Sequence, residues 1–309
     1  MVNSSEASSR RVAITGATGL IGTALVDALQ KLGHPVTRLV RKSPVGTDKL
    51  WDPSAGTIDA SAIEGAWAVV HLAGEGIGDA KWSPEHKRRV LESRVKGTTL
   101  IATTIANATD KPSVFASGSA IGFYGDRGDT PLDETSSLGT GFLADVVRQW
   151  EESAQPAIDA GVRAAFLRTG IVLSTRGGAL KQQLLPFRLG AGGRLGKGTQ
   201  YLPWITIEDE VRSIIHVLNT ASIAGPVNLV APNPVTNAVF TKALGKALKR
   251  PTLIPIPLLA IKVLYGAEML KEMLLSSARL TPSVLTSTGF SFRHATLDEA
   301  LRHVLDAKI

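Results

Sequence analysis

Apolar positions along this chain follow two alternating patterns. In "RRVAITGATGLIGTALVDALQKLGHPVTRLVRKSP", residues 10–44, a continuous apolar strand gives way to a glycine turn and then to Leu20, Ile21, Leu25, Leu29 and Leu32 near helical spacing. A second strand follows. "AWAVVHLAG" reads as another buried strand, and "SPEHKRRVLESRVKGTTLIATTIANA" as a long helix with Ser83 as its cap and Pro84 in its first turn. A strand through Val114, Phe115 and Ala116 comes next, then a polar loop, the helix "LADVVRQWEESAQPAIDAG" and the strand "RAAFLRTGIVL".

Strands alternating with helices at this spacing predict right-handed crossovers and a parallel sheet covered on both faces. The expected fold is α/β, a doubly wound parallel sheet with a smaller, mainly helical C-terminal lobe. Residues 1–10 are expected as a disordered tail, 11–170 as the first domain and 171–309 as the lobe, with segments around 204–230 returning to the first domain. Beyond residue 171 the pattern loosens into a glycine-rich stretch suited to a lid or substrate loop. "LLAIKVLYGAEMLKEMLLSS" is expected as a buried lobe helix, because Lys262, Glu268, Lys271 and Glu272 argue against a membrane span.

Composition narrows the function. With 309 residues and 44% hydrophobic content the chain can bury a sizeable core. The absence of cysteine excludes disulfides and thiolate chemistry, and the six histidines lack a spacing such as H-E-x-x-H, so no metal is expected. The opening "MVNSSEASSR" has no apolar core of a signal peptide, which points to the cytoplasm. A net charge of +7 is spread along the chain without interleaved aromatics, so the expected partner is a small anionic molecule and neither nucleic acid nor membrane.

Gly16, Gly19 and Gly22 lie between a strand and a helix in "TGATGLIG". That context suits a dinucleotide, since the turn, the approach of a pyrophosphate and the packing of helix on strand each call for a residue without a side chain. Where an acid would hold a ribose 2′-hydroxyl the chain has Arg41 and Lys42, which favours NADP(H) over NAD. "AGGRLGKGT" is no P-loop, because Ala191 and Gly198 stand at required glycine and hydroxyl positions.

These motifs, with "HLAG" and "PWITIEDEV", resemble the extended short-chain dehydrogenase/reductase superfamily. More narrowly, "HLAGEGIGDAKWSPEHKRRVLESRV", "LLPFRLGAGGRLGKGTQYLPWI" and "LLSSARLTPSVLTSTGFSF" resemble its SulA-like epimerase family, which carries a C-terminal domain of unknown function, here about residues 251–300. The resemblance implies that residues 11–170 form a Rossmann-type NADP(H)-binding domain and the late segments a substrate lobe, with a cradle containing Gly16, Leu20, Ile21 and Arg41 and with Leu72, Ala73, Gly74 and Glu75 beside the adenosine or ribose. It also implies a Tyr-x-x-x-Lys pair on the helix before "WEE", where this chain has Leu143 and Val147. Ser119 matches the superfamily serine and Tyr124 stands as candidate proton donor, so both are expected as catalytic hydroxyls. Two readings of function remain side by side: an epimerase or reductase acting on a small polar or nucleotide-linked carbonyl or sugar substrate, and an NADPH-sensing regulator with a protein partner and little turnover.

Overall fold

The computed structural model describes residues 9–306, so nearly all of the tail expected at residues 1–10 lies outside it. The first half runs β1 (Val12–Thr15), α1 (Leu20–Lys31), β2 (Val36–Val40), β3 (Lys49–Asp52), β4 (Thr57–Ile58), β5 (Ala68–His71), α2 (Pro84–Asn107) and β6 (Val114–Ala120). Next come β7 (Pro131–Leu132), α3 (Phe142–Glu152), α4 (Gln155–Asp159), β8 (Arg163–Thr169), β9 (Ile171–Leu173) and α5 (Gly178–Arg188). They are followed by β10 (Tyr201–Leu202), β11 (Trp204–Thr206), α6 (Ile207–Asn219), β12 (Gly225–Leu229), β13 (Val235–Thr236) and α7 (Asn237–Leu248). The chain ends in α8 (Leu258–Tyr265), α9 (Ala267–Met269), β14 (Arg279–Leu280), α10 (Ser283–Ser287) and α11 (Leu297–Asp306).

The main sheet has the order β12-β8-β6-β5-β1-β2-β3-β4, and its neighbours run parallel except for the antiparallel edge pair β3–β4. Strand order reverses between β1 and β5, which opens a crevice beyond their C-terminal ends. Alternation along the strands splits the core. Val12, Ile14, Val70 and Ala116 face the side covered by α1 and α6, while Ala13, Val69 and Phe115 face the side covered by α2 and α4. Both faces are dry, as a parallel sheet requires. Ser83 caps α2 as its pattern predicts, accepting from the His86 N–H at 3.1 Å, with Pro84 at the first helical position.

A second core joins α5, α7 and α11 through Leu180, Phe187, Phe240, Leu244, Leu301 and Val304, packed on Trp204. β12 returns to the edge of the main sheet, so the two units interleave along the chain. The segment 258–277 differs from the single buried helix expected. Gly266, at φ +92°, ends α8, and a π-helical turn at Leu270–Leu274 follows α9. α8 exposes Leu259, Val263 and Leu264, because the break turns it away from the lobe core. No helix among the described residues is long and apolar enough to cross a membrane.

Glu210, in the first turn of α6, is fully enclosed between helix and sheet. It accepts from Thr169 Oγ1 at 2.8 Å, and its other oxygen has no partner. Burial pushes this carboxyl up to about 8, partly offset by Thr169. The folded protein therefore keeps a proton that the unfolded chain has released, so the contribution to stability is full below the ordinary carboxylate range and is lost as pH rises towards 8. Glu210→Gln should flatten this slope. Urea midpoints measured from pH 5 to pH 8 should fall for the wild type by an amount equivalent to roughly 2–4 kcal/mol and stay level in the variant; parallel profiles would rule out a buried proton.

Candidate functional site

A cavity of about 570 Å³ occupies the crevice beyond β1 and β5. Its floor is the turn from Gly16 to Gly19, and the glycines differ in why they are required. Gly16 has φ +68°, and a Cβ there would stand 2.7 Å from the Leu72 carbonyl carbon; one on Gly22 would stand 2.2 Å from Gly16 O. Gly19 is freer, with only Gly16 O at 3.3 Å. It caps α1 without a side chain, so the first-turn N–H groups of the helix have no side-chain cap.

The opposite wall is Leu72–Glu75. Thr15 Oγ1 accepts from the N–H groups of Leu72 and Ala73 at 3.1 and 3.3 Å and shares a 2.7 Å bond with His71 Nδ1. Ser93 Oγ accepts from Glu75 N at 3.0 Å, and Arg94 Nη1 donates to Glu75 O at 2.9 Å. His71 is neutral at physiological pH, since burial, and then the charge of Arg94, pushes it down to about 3.

At the rim, Arg41 and Lys42 line the cavity and are exposed, with no hydrogen bond or ion pair to the described residues. Arg38, by contrast, is engaged with Asp48 through two bonds of 2.7 and 2.8 Å. Of the two carboxylates lining the cavity, Asp48 is thereby paired with Arg38, and Glu75 lies 3.5 Å from Arg89. Leu20, Ile21 and Gly22 open α1 without joining the cavity wall; the Leu20 side chain packs instead towards Gly177 and Gly178 of the lobe.

A second cavity, about 430 Å³, lies between the ends of β6 and β8, helix α3 and the lobe. Leu143 and Val147, one helical turn apart, both line it, along with Ile121, Ile171, Leu202 and Trp150. The glycine-rich stretch before residue 204 thus contributes Tyr201, Leu202 and Pro203 to the wall. Arg94 forms the partition between the two cavities. It lines the second, while a Cβ on Gly74, in the wall of the first, would lie 3.4 Å from its guanidinium carbon.

Residues 12–229 match the NAD dependent epimerase/dehydratase family. The chain belongs to that family. Residues 256–304 match a separate domain of unknown function, DUF1731. Epimerase family protein MT2273 of Mycobacterium tuberculosis is 42% identical over 291 residues, covering 94% of this chain and 96% of that one. The crystal structure of human epimerase family protein SDR39U1 (isoform2) with NADPH superposes with a TM-score of 0.89 at 34% identity, over 96% of this chain and all of that one. A nucleoside-diphosphate sugar epimerase from Corynebacterium glutamicum gives 0.80 at 40% identity, over 96% of this chain and 58% of that longer one.

In this member of the epimerase family the two candidate catalytic hydroxyls sit in a buried network. Ser119 Oγ donates to Glu151 Oε1 at 2.6 Å. Glu151 takes two bonds of 2.8 Å from Arg168, whose Nη1 donates to the Tyr124 hydroxyl at 3.0 Å. Tyr124 in turn donates to Asn228 Oδ1 at 2.7 Å. Tyr124 is fully enclosed, and burial raises its phenol above its ordinary value, so the hydroxyl is neutral, fully bonded and outside the second cavity's wall.

Residues that pattern reading passed over lie close by. Arg94 occupied a polar position on a long helix, and Glu272 a polar position on an apolar one; Glu272 accepts from the N–H groups of Phe142 and Leu143 at 3.1 and 2.9 Å and so caps α3 from the lobe. Glu208, His294 and His303 also come within 4.8 Å of one another, a cluster hidden by the distance between them in the chain. Glu208 is paired there with Arg293, ahead of α11, and His303 Nε2 of α11 lies 3.2 Å from Glu208, so the group ties α11 to α6.

Because Arg168 is buried against one carboxylate, Glu151→Gln leaves an uncompensated charge and should cost roughly 3–5 kcal/mol. Tyr124→Phe removes one hydroxyl and should cost about 1–3 kcal/mol. Denaturant titration ranks the two, and a Glu151→Gln protein as stable as wild type would contradict the role given to the pair.

Proposed function

We propose that the chain binds NADP(H) in the first cavity and is an NADP(H)-dependent oxidoreductase or epimerase whose carbonyl or sugar substrate occupies the second. The observation that carries this reading is the pair of unpartnered cations, Arg41 and Lys42, at the rim of a cavity whose two carboxylates, Asp48 and Glu75, face Arg38 and Arg89. The glycine geometry fits a dinucleotide: Gly16 and Gly22 close the turn, and Gly19 with the open N–H groups of α1 leaves room for a pyrophosphate. Leu20 and Ile21 contribute those first-turn N–H groups, and Leu72, Ala73, Gly74 and Glu75 form the wall beside the ribose. Human SDR39U1, crystallised with NADPH, supports the same reading by similarity.

NADPH, when bound, supplies a hydride. The chain's own residues orient the partner molecule and keep water out through the apolar wall of α3. Ser119 and Tyr124 contribute by holding the Glu151–Arg168 pair, which fixes the strand ends under the second cavity. Leu143 and Val147 give no group that moves a proton, which also favours the second reading, a nucleotide-sensing regulator with little turnover. Absorbance at the nicotinamide band, which reports net reduction or oxidation, together with product analysis for an epimerase that returns its hydride, separates the two over a panel of sugar nucleotides and small carbonyls.

Arg41→Ala should weaken NADPH by roughly ten- to a hundredfold, the equivalent of one charge-assisted bond of about 1.5–3 kcal/mol, and leave NADH nearly unchanged. Calorimetric titration with both nucleotides is the measurement. Equal losses for the two would remove Arg41 from contact with the 2′-phosphate.

A further inference from the structure

The second cavity is walled mainly by carbon, and one buried cation breaks that wall. Arg94 is 8% exposed. Of its donors only Nη1 is used, towards the backbone oxygens of Val90 and Glu75 at 3.1 and 2.9 Å. Nε is enclosed with no hydrogen-bond partner, and Nη2 bonds to none of the described residues. The guanidinium lies 4.9 Å from the centre of the Trp150 ring.

No carboxylate among the described residues is bonded to this charge. The Glu75 side chain reaches towards Arg89 at 3.5 Å, and Glu151 is spent on Arg168. Asp126 and Glu272, the two acids in the cavity wall, accept from backbone N–H groups, of Ser277 and of Phe142 and Leu143 respectively. Lys271, at the lobe side, adds a further positive charge. Two backbone carbonyls, the Trp150 ring and the nearby Glu75 charge only partly offset the burial of this guanidinium, and an anion bound to its unused donor would offset more of it.

We propose that Arg94 is an anion-binding residue of the second cavity and that the substrate there is a molecule with an apolar body ending in a carboxylate. This rests on the NADP(H)-dependent reading of the neighbouring cavity and narrows it from the polar or nucleotide-linked compounds expected from sequence. Ile121, Leu143, Val147, Ile171 and Leu202 accept the body; the planar guanidinium, with unused donors, matches the carboxylate.

The test is calorimetric titration of the NADPH-saturated full chain with phenylpyruvate and 4-phenylbutanoate, each beside its methyl ester. The acids should bind about 10- to 100-fold more tightly than the esters. Arg94→Gln should abolish that preference, and Arg94→Lys, which keeps the charge and guards against a folding defect, should retain part of it. NADPH saturation is established for each variant before the acids are titrated. Equal affinity for acid and ester in the wild type, or no saturable binding of either acid, overturns the proposal, as does an Arg94→Gln protein that loses NADPH affinity while keeping the acid preference. A wild type that binds NADPH but prefers no acid refutes this proposal alone, whereas one that prefers the acids and binds no NADPH refutes the functional reading.

Discussion

The buried ion pair between Glu151 and Arg168 is the contact on which the second cavity depends. It joins α3 to β8, takes in β6 through Ser119, and reaches β12 through Tyr124 and Asn228. Arg168 also lies 3.4 Å from the centre of the Phe123 ring, which fixes the turn after β6. A charge pair inside a protein is tolerated only when its remaining donors and acceptors are bonded, and here neighbouring strands supply those bonds. Three strand ends and one helix are thereby held in a single arrangement. The hydroxyls that look like chemistry in the sequence supply part of that satisfaction.

The lobe is attached by the same kind of force in a different form. Glu272 caps α3, Glu134 accepts from Ser283 and Val284 at the start of α10, Asp126 accepts from Ser277, and Asp209 accepts from Arg293 and His294. In each case a carboxylate meets backbone N–H groups across the junction, and at α3 and α10 the helix end adds a favourable partial charge. Such contacts are directional, so they fix the orientation of the lobe as well as its attachment. Glu272 is the instructive case: its neighbour Lys271 faces the cavity, and the helix it caps carries Leu143 and Val147. The wall of the cavity and the seat of the lobe are therefore one structure.

What could be read from the sequence follows from the range of the forces involved. The strands, the glycine turn and the Ser83–Pro84 start of α2 depend on residues a few positions apart, and their patterns carry that information directly. Arg94, Glu272 and Tyr124 depend on partners far along the chain. A polar residue on a helix reads as solvated unless something else covers it, and α2 is covered at Arg94 by Trp150 and the Glu75 loop. The helix expected at 258–277 failed for a local reason: its apolar period ran through Gly266, whose left-handed conformation stops a helix, and the leucines and methionines on either side masked that stop.

The two cavities differ in how they present charge, and this bears on what the protein can do. At the first, cations stand exposed at a rim, where solvent screens them. At the second, Arg94 is enclosed, and burial lowers it to about 10 while leaving it protonated at neutral pH. A fixed charge held at an enclosed position acts strongly on whatever oxygen approaches it and needs no reorganisation to do so. Beside it, Leu143 and Val147 present an apolar face one helical turn long. Orientation by Arg94 and exclusion of water by α3 are then the means by which this chain can favour one molecule over another, whether it turns that molecule over or only senses it.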